Sequence, residues 1–420
     1  MSEWHEVELG SLIHVKHGFA FKGEFFSGTG ADLVLTPGNF AVGGGLQVRP
    51  GKEKYYTGDF PAEFRLKAGD LLVVMTDLKQ EAPILGSPAW IPETGSYLHN
   101  QRLGLVTITR PDALDRRFLY WLLAFDGTRR QLRATATGAT VRHTAPERIY
   151  RARVNVPDLG TQRRVSEILD SITALVENSR ERIALLEQIA HAIYREWFVH
   201  FRYPGHEEDE LVDSPLGPIP DHWRVVPFSE LADFMNGFAF KPVHWGEVGL
   251  PIVKIKELKA GVTASTPRYD GNDIAPKYRV ENGDLLFSWS AHLDVYLWSG
   301  GSALLNQHLF KVVPASDVAK SWLFLTLREQ IAEFRSRSQG TTMKHIRRAA
   351  LGEVAAVTPR SELMQAFADV ANPIFGERTD VSQVDSSLVA MRDLLLPKLV
   401  TGAIDVSKLD LDALLEGSAA

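Results

Sequence analysis

Residues 165–193 read VSEILDSITALVENSRERIALLEQIAHAI, and residues 367–395 read FADVANPIFGERTDVSQVDSSLVAMRDLL. In the first stretch Val165, Ile168, Ile172, Leu175, Leu186, Ile189 and Ile193 form an apolar ladder at three-four spacing. In the second, Phe367, Val370, Ile374, Val381, Val384, Leu388, Met391 and Leu395 do the same. Positions 165, 172, 186 and 193 recur at 367, 374, 388 and 395, a constant offset of 202 residues. A sustained heptad reads as a long coiled-coil helix. Two copies, each following a globular stretch, imply a pair of helices between two similar domains.

The chain has 420 residues, too many for one ordinary core. It contains no cysteine, which excludes disulfides, thiolate metal sites and cysteine nucleophiles and is compatible with a cytoplasmic location. The N-terminal MSEWHEVELG has no secretory pattern, and no apolar run is long enough to span a membrane. The formal charge is −6, so any nucleic-acid surface must be a local concentration of cations.

From the N-terminus, the runs Leu33–Leu35, Leu71–Met75 and Leu103–Ile108 read as strands between Gly/Pro punctuation, and 115–125 as a helix. The first long helix is expected to end near YREWFVHFRYPG, at Pro204 and Gly205. The second half then repeats the first. GFAFK occurs at 18–22 and 237–241; KAGDLLVV (67–74) matches ENGDLLFS (281–288); LHNQRLGLV (98–106) matches LLNQHLFKV (304–312); TGATVRH (137–143) matches QGTTMKH (339–345). The offset falls from 219 through 214 and 206 to 202, as expected when loops change length and packed elements keep their order. The expected fold is α+β: two mixed α/β domains, 1–157 and 221–359, separated by two long antiparallel helices, 158–204 and 360–403, with pseudo-twofold symmetry. An acidic linker (205–220) and a C-terminal tail (404–420) complete the chain.

Several motifs have plain structural roles. The glycines of GDLL turn the chain into a buried strand, and the phenylalanines of GFAFK fill a core. The pairs Asn100-Gln101 and Asn306-Gln307 could read adenine, but support of buried backbone is the favoured role. Between Arg110 and Arg153 ten arginines face four acids, and between 328 and 348 six cations face two. Cations clustered at the same place in both repeats suit a phosphate backbone. The expected DNA contacts are Lys22, Arg133, Arg142, His143 and Arg148 in the first domain, and Lys241, Arg335, Arg337, Lys344, His345, Arg347 and Arg348 in the second. Pairing the ladders end to end sets Val165 opposite Leu395 and Arg182 opposite Glu377, a polar pair expected inside the apolar seam.

Catalytic signals are absent. Asn372-Pro373 lacks the second proline of an adenine-methyltransferase loop and reads as a helix cap or kink. Glu257-Leu258-Lys259 has no upstream Asp to make a nuclease motif and sits in a strand-like context. There is no phosphate-binding loop, no dinucleotide fingerprint and no metal-ligand spacing among the thirteen histidines.

The order domain, long helix, domain, long helix resembles the specificity subunits of Type I restriction–modification systems. The resemblance covers nearly the whole chain and is carried most specifically by REWFVHFRYP, LGPIPDHWRVVPFSELAD and LLPKLVTGAI (395–404). It implies a non-catalytic chain with two target recognition domains, each reading one half of a bipartite, asymmetric site in double-stranded DNA. The helices would act as a spacer: 165–193 rises roughly 42 Å at about 1.5 Å per residue, on the order of one duplex turn. It also implies two methyltransferase subunits and two ATP-dependent endonuclease subunits as partners. Those partners would carry S-adenosylmethionine, ATP and magnesium, and the methyltransferase would flip the adenine. The alternatives are a stand-alone or fused methyltransferase or restriction enzyme, and a tandem-repeat scaffold.

Overall fold

The computed structural model describes residues 4–49, 51–263, 265–290, 292–338 and 345–406. The chain divides into two compact units, one of Met1–Thr173 with Ala390–Ala420 and one of Ala174–Val389.

In the first unit an antiparallel sheet has the order Ile13–His17, Leu103–Ile108, Leu71–Val74, Pro88–Trp90. A second sheet pairs Asp32–Leu35 parallel to Ser96–His99, with Tyr55–Tyr56 and Phe26–Ser27 beyond. The run Leu71-Leu72-Val73-Val74 is apolar at every position because each face meets a different core. Leu71 and Val73 pack with Val15, Phe118 and Leu122, while Leu72 and Val74 pack with Leu33, Leu35 and Phe40. A strand buried on both faces loses the alternation of a half-exposed one. His5–Glu8 pairs with Arg153–Val156 to close the domain.

The second unit repeats this plan. Its main sheet runs Ala232–Asn236, Leu309–Pro314, Leu285–Ser288, Asp294–Leu297. Leu250–Val253 lies parallel to Ala303–Leu305 in the second sheet, and Arg224–Pro227 pairs with Ala355–Thr358. The GDLL turns are alike. Gly69 and Gly283 have φ of +77° and +83°, and Asp70 and Asp284 each accept the N–H three residues back, at 2.8 Å.

Two 40-residue helices, Leu159–Phe198 and Ser361–Val400, belong in part to each unit. In the first unit Val165 and Leu169 share a core with Leu399, Val400 and Val406, and the Trp4 indole lies against Gly402. In the second, Ala190, Tyr194 and Phe198 share a core with Met364, Phe367, Ala371 and Phe375.

Three expectations change here. The first long helix stops at Phe198, before Pro204. Phe201 takes φ +56° there, and the chain reverses so that Phe201 and Tyr203 pack on Trp223. Asn372 and Pro373 lie inside the second helix, so they form no cap; both are exposed, and the proline costs one helical hydrogen bond. The third change is the seam. The recurrent column is inward as expected: Val165, Ile172 and Ser179 are buried and Leu186 half-buried on one helix, as are Phe367 and Val381, with Ile374, Leu388 and Leu395, on the other. Its companion column is four residues on, not three. Leu169, Val176, Ile183 and Ala190 turn inward on the first helix, and Ala371, Arg378, Asp385, Arg392 and Leu399 on the second. Ile168 and Ile193 are half-buried at the margin, whereas Leu175, Ile189, Val370, Val384 and Met391 are exposed.

Arg182 does donate to Glu377, at 2.8 Å, but on the solvent side, with each side chain 54% exposed. Other charges lie inside the seam: Arg378 donates to Glu187 at 3.1 Å and to the Leu297 carbonyl at 3.1 Å, with the two side chains 16% and 28% exposed, and the half-buried Asp385 accepts from Arg180 at 3.2 Å. Arg378→Ala is expected to cost about 1–2 kcal/mol, because it leaves the Leu297 carbonyl unpaired and Glu187 with Arg328 alone, at 3.4 Å. Arg182→Ala is expected to cost under about 0.5 kcal/mol. Urea unfolding of the two variants side by side measures the difference.

Candidate nucleic-acid interface

Each domain builds its candidate surface where the GFAFK loop crosses the Asn-Gln turn. Phe19 donates its N–H to the His99 carbonyl at 2.8 Å and accepts from the Gln101 N–H at 3.0 Å; Phe238 does the same with Leu305 and Gln307 at 2.8 and 2.9 Å. The backbones cross so closely that a Cβ on Gly18 would fall 2.2 Å from the Asn100 carbonyl oxygen, and one on Gly237 2.3 Å from that of Asn306. Only glycine fits such an approach. Phe21 and Phe240 are buried beneath the loop.

The Asn-Gln pairs divide their roles. Asn100 and Asn306 are buried, and the Asn100 side chain accepts the Arg102 N–H at 3.0 Å. Gln101, Arg102, Gln307 and His308 are exposed. The outward residues are marked in the sequence only by polar character at a tight turn that recurs in both repeats, next to an asparagine with a structural role.

Distant segments join this corner. The Met75 N–H donates to the Arg102 carbonyl at 2.9 Å, and its own carbonyl accepts from Thr144 at 2.9 Å. That link brings the 137–148 segment to the crossing. There Arg142 donates to the carbonyls of Gly138 and Arg133, Arg148 to the Thr137 hydroxyl and the His143 carbonyl, and His143 Nδ1 lies 2.9 Å from the Thr76 hydroxyl. In the second domain Trp289 plays the linking part: its ring contacts His308 at 5.7 Å and its carbonyl accepts the Ile346 N–H. His345 bridges Ser290.

Much of the cationic charge counted along the sequence is held internally. Asp126 pairs with Arg129, Arg130 and Arg133, and these cations hold its carboxyl below the usual range against the effect of burial. Arg337 pairs with Glu333 and Glu353, Arg348 with Asp233 at 3.8 Å, and Arg335 donates to the Leu293 carbonyl. Lys22, Lys241 and Arg347 are exposed. Lys344 lies outside the described residues. Glu257 proves to be part of a short helix, Ile255–Ala260, where its buried carboxylate accepts the Lys254 N–H at 3.1 Å; the strand reading of that segment is corrected by this local cap.

Beneath the first crossing, His99 is fully buried with Nε2 2.9 Å from the Leu103 carbonyl. Burial pushes its imidazole down to about 4. The unfolded chain takes up this proton near pH 6.5 and the folded chain refuses it, so stability falls as pH drops from about 6.5 towards 4. The second repeat has Leu305 at the matching place. His99→Leu is therefore expected to lose about 2 kcal/mol of the parent's destabilisation between pH 7 and pH 5, measured by thermal unfolding across that range.

Among the described residues no helix is long and apolar enough to cross a membrane. A family model described as the Type I restriction modification DNA specificity domain matches residues 1–188 and again residues 220–362. The MjaIX specificity subunit of the Methanocaldococcus jannaschii Type I restriction enzyme is 22% identical over 322 residues, 73% of each chain. The MjaVIII specificity subunit of the same organism is 22% identical over 297 residues, 66% of this chain and 68% of that one. The crystal structure of the Type I restriction–modification S subunit from M. genitalium shares the fold, with a TM-score of 0.57 at 14% identity over 97% of both chains. With both α/β domains matched, the chain belongs to the Type I restriction modification DNA specificity family.

Proposed function

We propose that each of the two α/β domains reads one half of a bipartite, asymmetric double-stranded DNA target. The chain is a specificity subunit of a Type I restriction–modification complex, and its role is DNA target recognition. The observation that carries the two-half reading is the double family match on domains of repeated topology. Base reading falls to the exposed residues at the crossings: Gln101 and Arg102 in the first domain, Gln307 and His308 in the second. A Gln amide pairs with adenine through two hydrogen bonds and an Arg with guanine. Lys22 and Lys241 contact phosphate and add affinity without sequence preference.

The chain is non-catalytic. The two long helices fix the separation of the half-sites and dock two methyltransferase subunits, which two ATP-dependent endonuclease subunits join in the cytoplasm. S-adenosylmethionine, ATP and magnesium belong to those partners.

Methylome sequencing of a host carrying the complete system identifies the target, and gel shifts on that duplex test the assignment. Arg102→Ala is expected to lose about 1–3 kcal/mol of discrimination at one base pair. Lys22→Ala is expected to weaken binding to all duplexes alike and to lower the salt slope by about 1. Methyl transfer by the purified chain alone would overturn the non-catalytic reading.

A further inference from the structure

Beside the crossing of the second domain, the loop 242–249 carries apolar side chains outward. Val248 and Val243 are 84% and 82% exposed, the highest values among the described large apolar side chains, and Trp245 is 49% exposed. The backbone that holds them out is anchored. His244 Nδ1 accepts the Lys241 N–H at 2.9 Å, Gly246 and Arg268 exchange both backbone hydrogen bonds at 2.9 Å, and the Arg268 side chain donates to the Gly249 carbonyl at 3.0 Å. Three such side chains on one fixed loop form a patch, not a stray exposed residue.

The patch is continuous with the crossing through two separate links. The His244 ring lies 5.7 Å from that of Phe238, whose carbonyl accepts the Gln307 N–H. Lys254 Nζ lies 4.4 Å from the centre of the Trp245 ring, and the residue before it, Val253, accepts the Asn306 N–H at 3.0 Å. The surroundings are cationic. Over 241–259, Lys241, Lys254, Lys256 and Lys259 stand against Glu247 and Glu257, and Glu257 is buried. An apolar tip with a cationic rim matches a DNA groove, where phosphates flank the methyl groups of thymine. The first domain differs at this place: its matching turn, Gly23–Phe25, puts the exposed Glu24 where the second has Val243. A carboxylate there is repelled by phosphate and offers no apolar contact.

We infer that Val243 and Trp245 read thymine in the half-site of the second domain, by apolar contact with its 5-methyl group in the major groove. The inference rests on the crossings being the base-reading surface, and adds to it a second pair of reading residues and the base they select. The Gln307 amide suits adenine, and an adenine read there brings the methyl group of its partner thymine into the same groove. Taking one methyl group out of water is worth about fourfold in affinity.

The test measures binding of the full chain, with its methyltransferase subunits, to target duplexes in which the thymines of each half-site are replaced one at a time by deoxyuridine, which lacks only the methyl group. At one thymine of the second half-site the replacement is expected to weaken binding about fourfold in the parent and in Val243→Thr, which keeps a methyl at the same place. In Val243→Ala the same replacement should have no effect, and in Trp245→Ala a smaller one. A second half-site without thymine on either strand overturns the inference, as does a uracil penalty of equal size in the parent and Val243→Ala. Gln307→Ala judges the crossing separately. If it alters neither half-site while the uracil penalty still vanishes in Val243→Ala, the crossing reading fails and the thymine contact stands. If it alters one half-site and no uracil penalty depends on Val243, the thymine contact alone fails. Weaker assembly of Val243→Ala with the methyltransferase subunits or with a second copy, at an unchanged uracil penalty, would place the loop at a protein interface and overturn the inference.

Discussion

Phe367→Ala is expected to destabilise the second unit by about 4 kcal/mol, the largest single effect among these substitutions. Phe367 is fully buried. Its ring meets Tyr194, Trp197 and Phe198 at centroid distances of 6.1, 5.9 and 5.1 Å. Those three residues close the first long helix, and Phe198 continues the contact to Trp322 and Trp223. The deletion therefore opens a cavity at the point where two helices and a sheet domain share one core, and close-packed neighbours relax into such a space only in part. Equilibrium unfolding in urea, followed by tryptophan fluorescence, measures it. A loss under about 2 kcal/mol would show that the core collapses around the gap.

Gly18→Ala and Gly237→Ala should each cost about 3 kcal/mol. The added methyl meets a carbonyl carbon and oxygen of the crossing chain, and backbone held by hydrogen bonds on both sides cannot give way. The functional consequence is local. Gly18→Ala displaces Gln101 and Arg102, so recognition of one half-site should fail while the other is still read; Gly237→Ala should do the reverse. Gel shifts on duplexes with each half-site scrambled separate the two. Loss of both half-sites from one substitution would contradict independent recognition by the two domains.

The repeat was legible because GDLL, GFAFK and the heptad each impose a local geometry that few residues can satisfy. Strands such as Leu71–Val74 announce themselves by unbroken apolar runs. The seam was only half legible. A recurrent heptad position fixes one column and leaves a choice between the columns three and four residues on. In the second helix the column three on holds Val370, Val384 and Met391, and it looks the better core. The column actually used holds Arg378 and Asp385, whose charges are met by Glu187 and by Arg180 from the solvent side. A partner that arrives from about two hundred residues away leaves no mark on local periodicity. The arginine clusters were legible as charge, but not the local pairing that holds part of them. Asp126 contacts three arginines at once and offsets one of their charges, while Arg142 and Arg148 direct donors at nearby backbone carbonyls and a threonine hydroxyl. Conversely, Gln101 and Arg102 were obscured by a buried neighbour, Asn100, that needed only a structural explanation.

The make-up of the first unit bears on how the protein emerges from the ribosome. Residues 174–389 are one unbroken segment, so that unit has every residue it requires before Leu399, Val400 and Val406 are made. The N-terminal residues are made first but must wait: Leu9, Val15 and Phe118 complete their packing only against Leu399, Val400 and Val406. During translation the older half is thus left with an open apolar flank while the younger half matures, and the nascent chain is most exposed to chaperones and proteases at its oldest end.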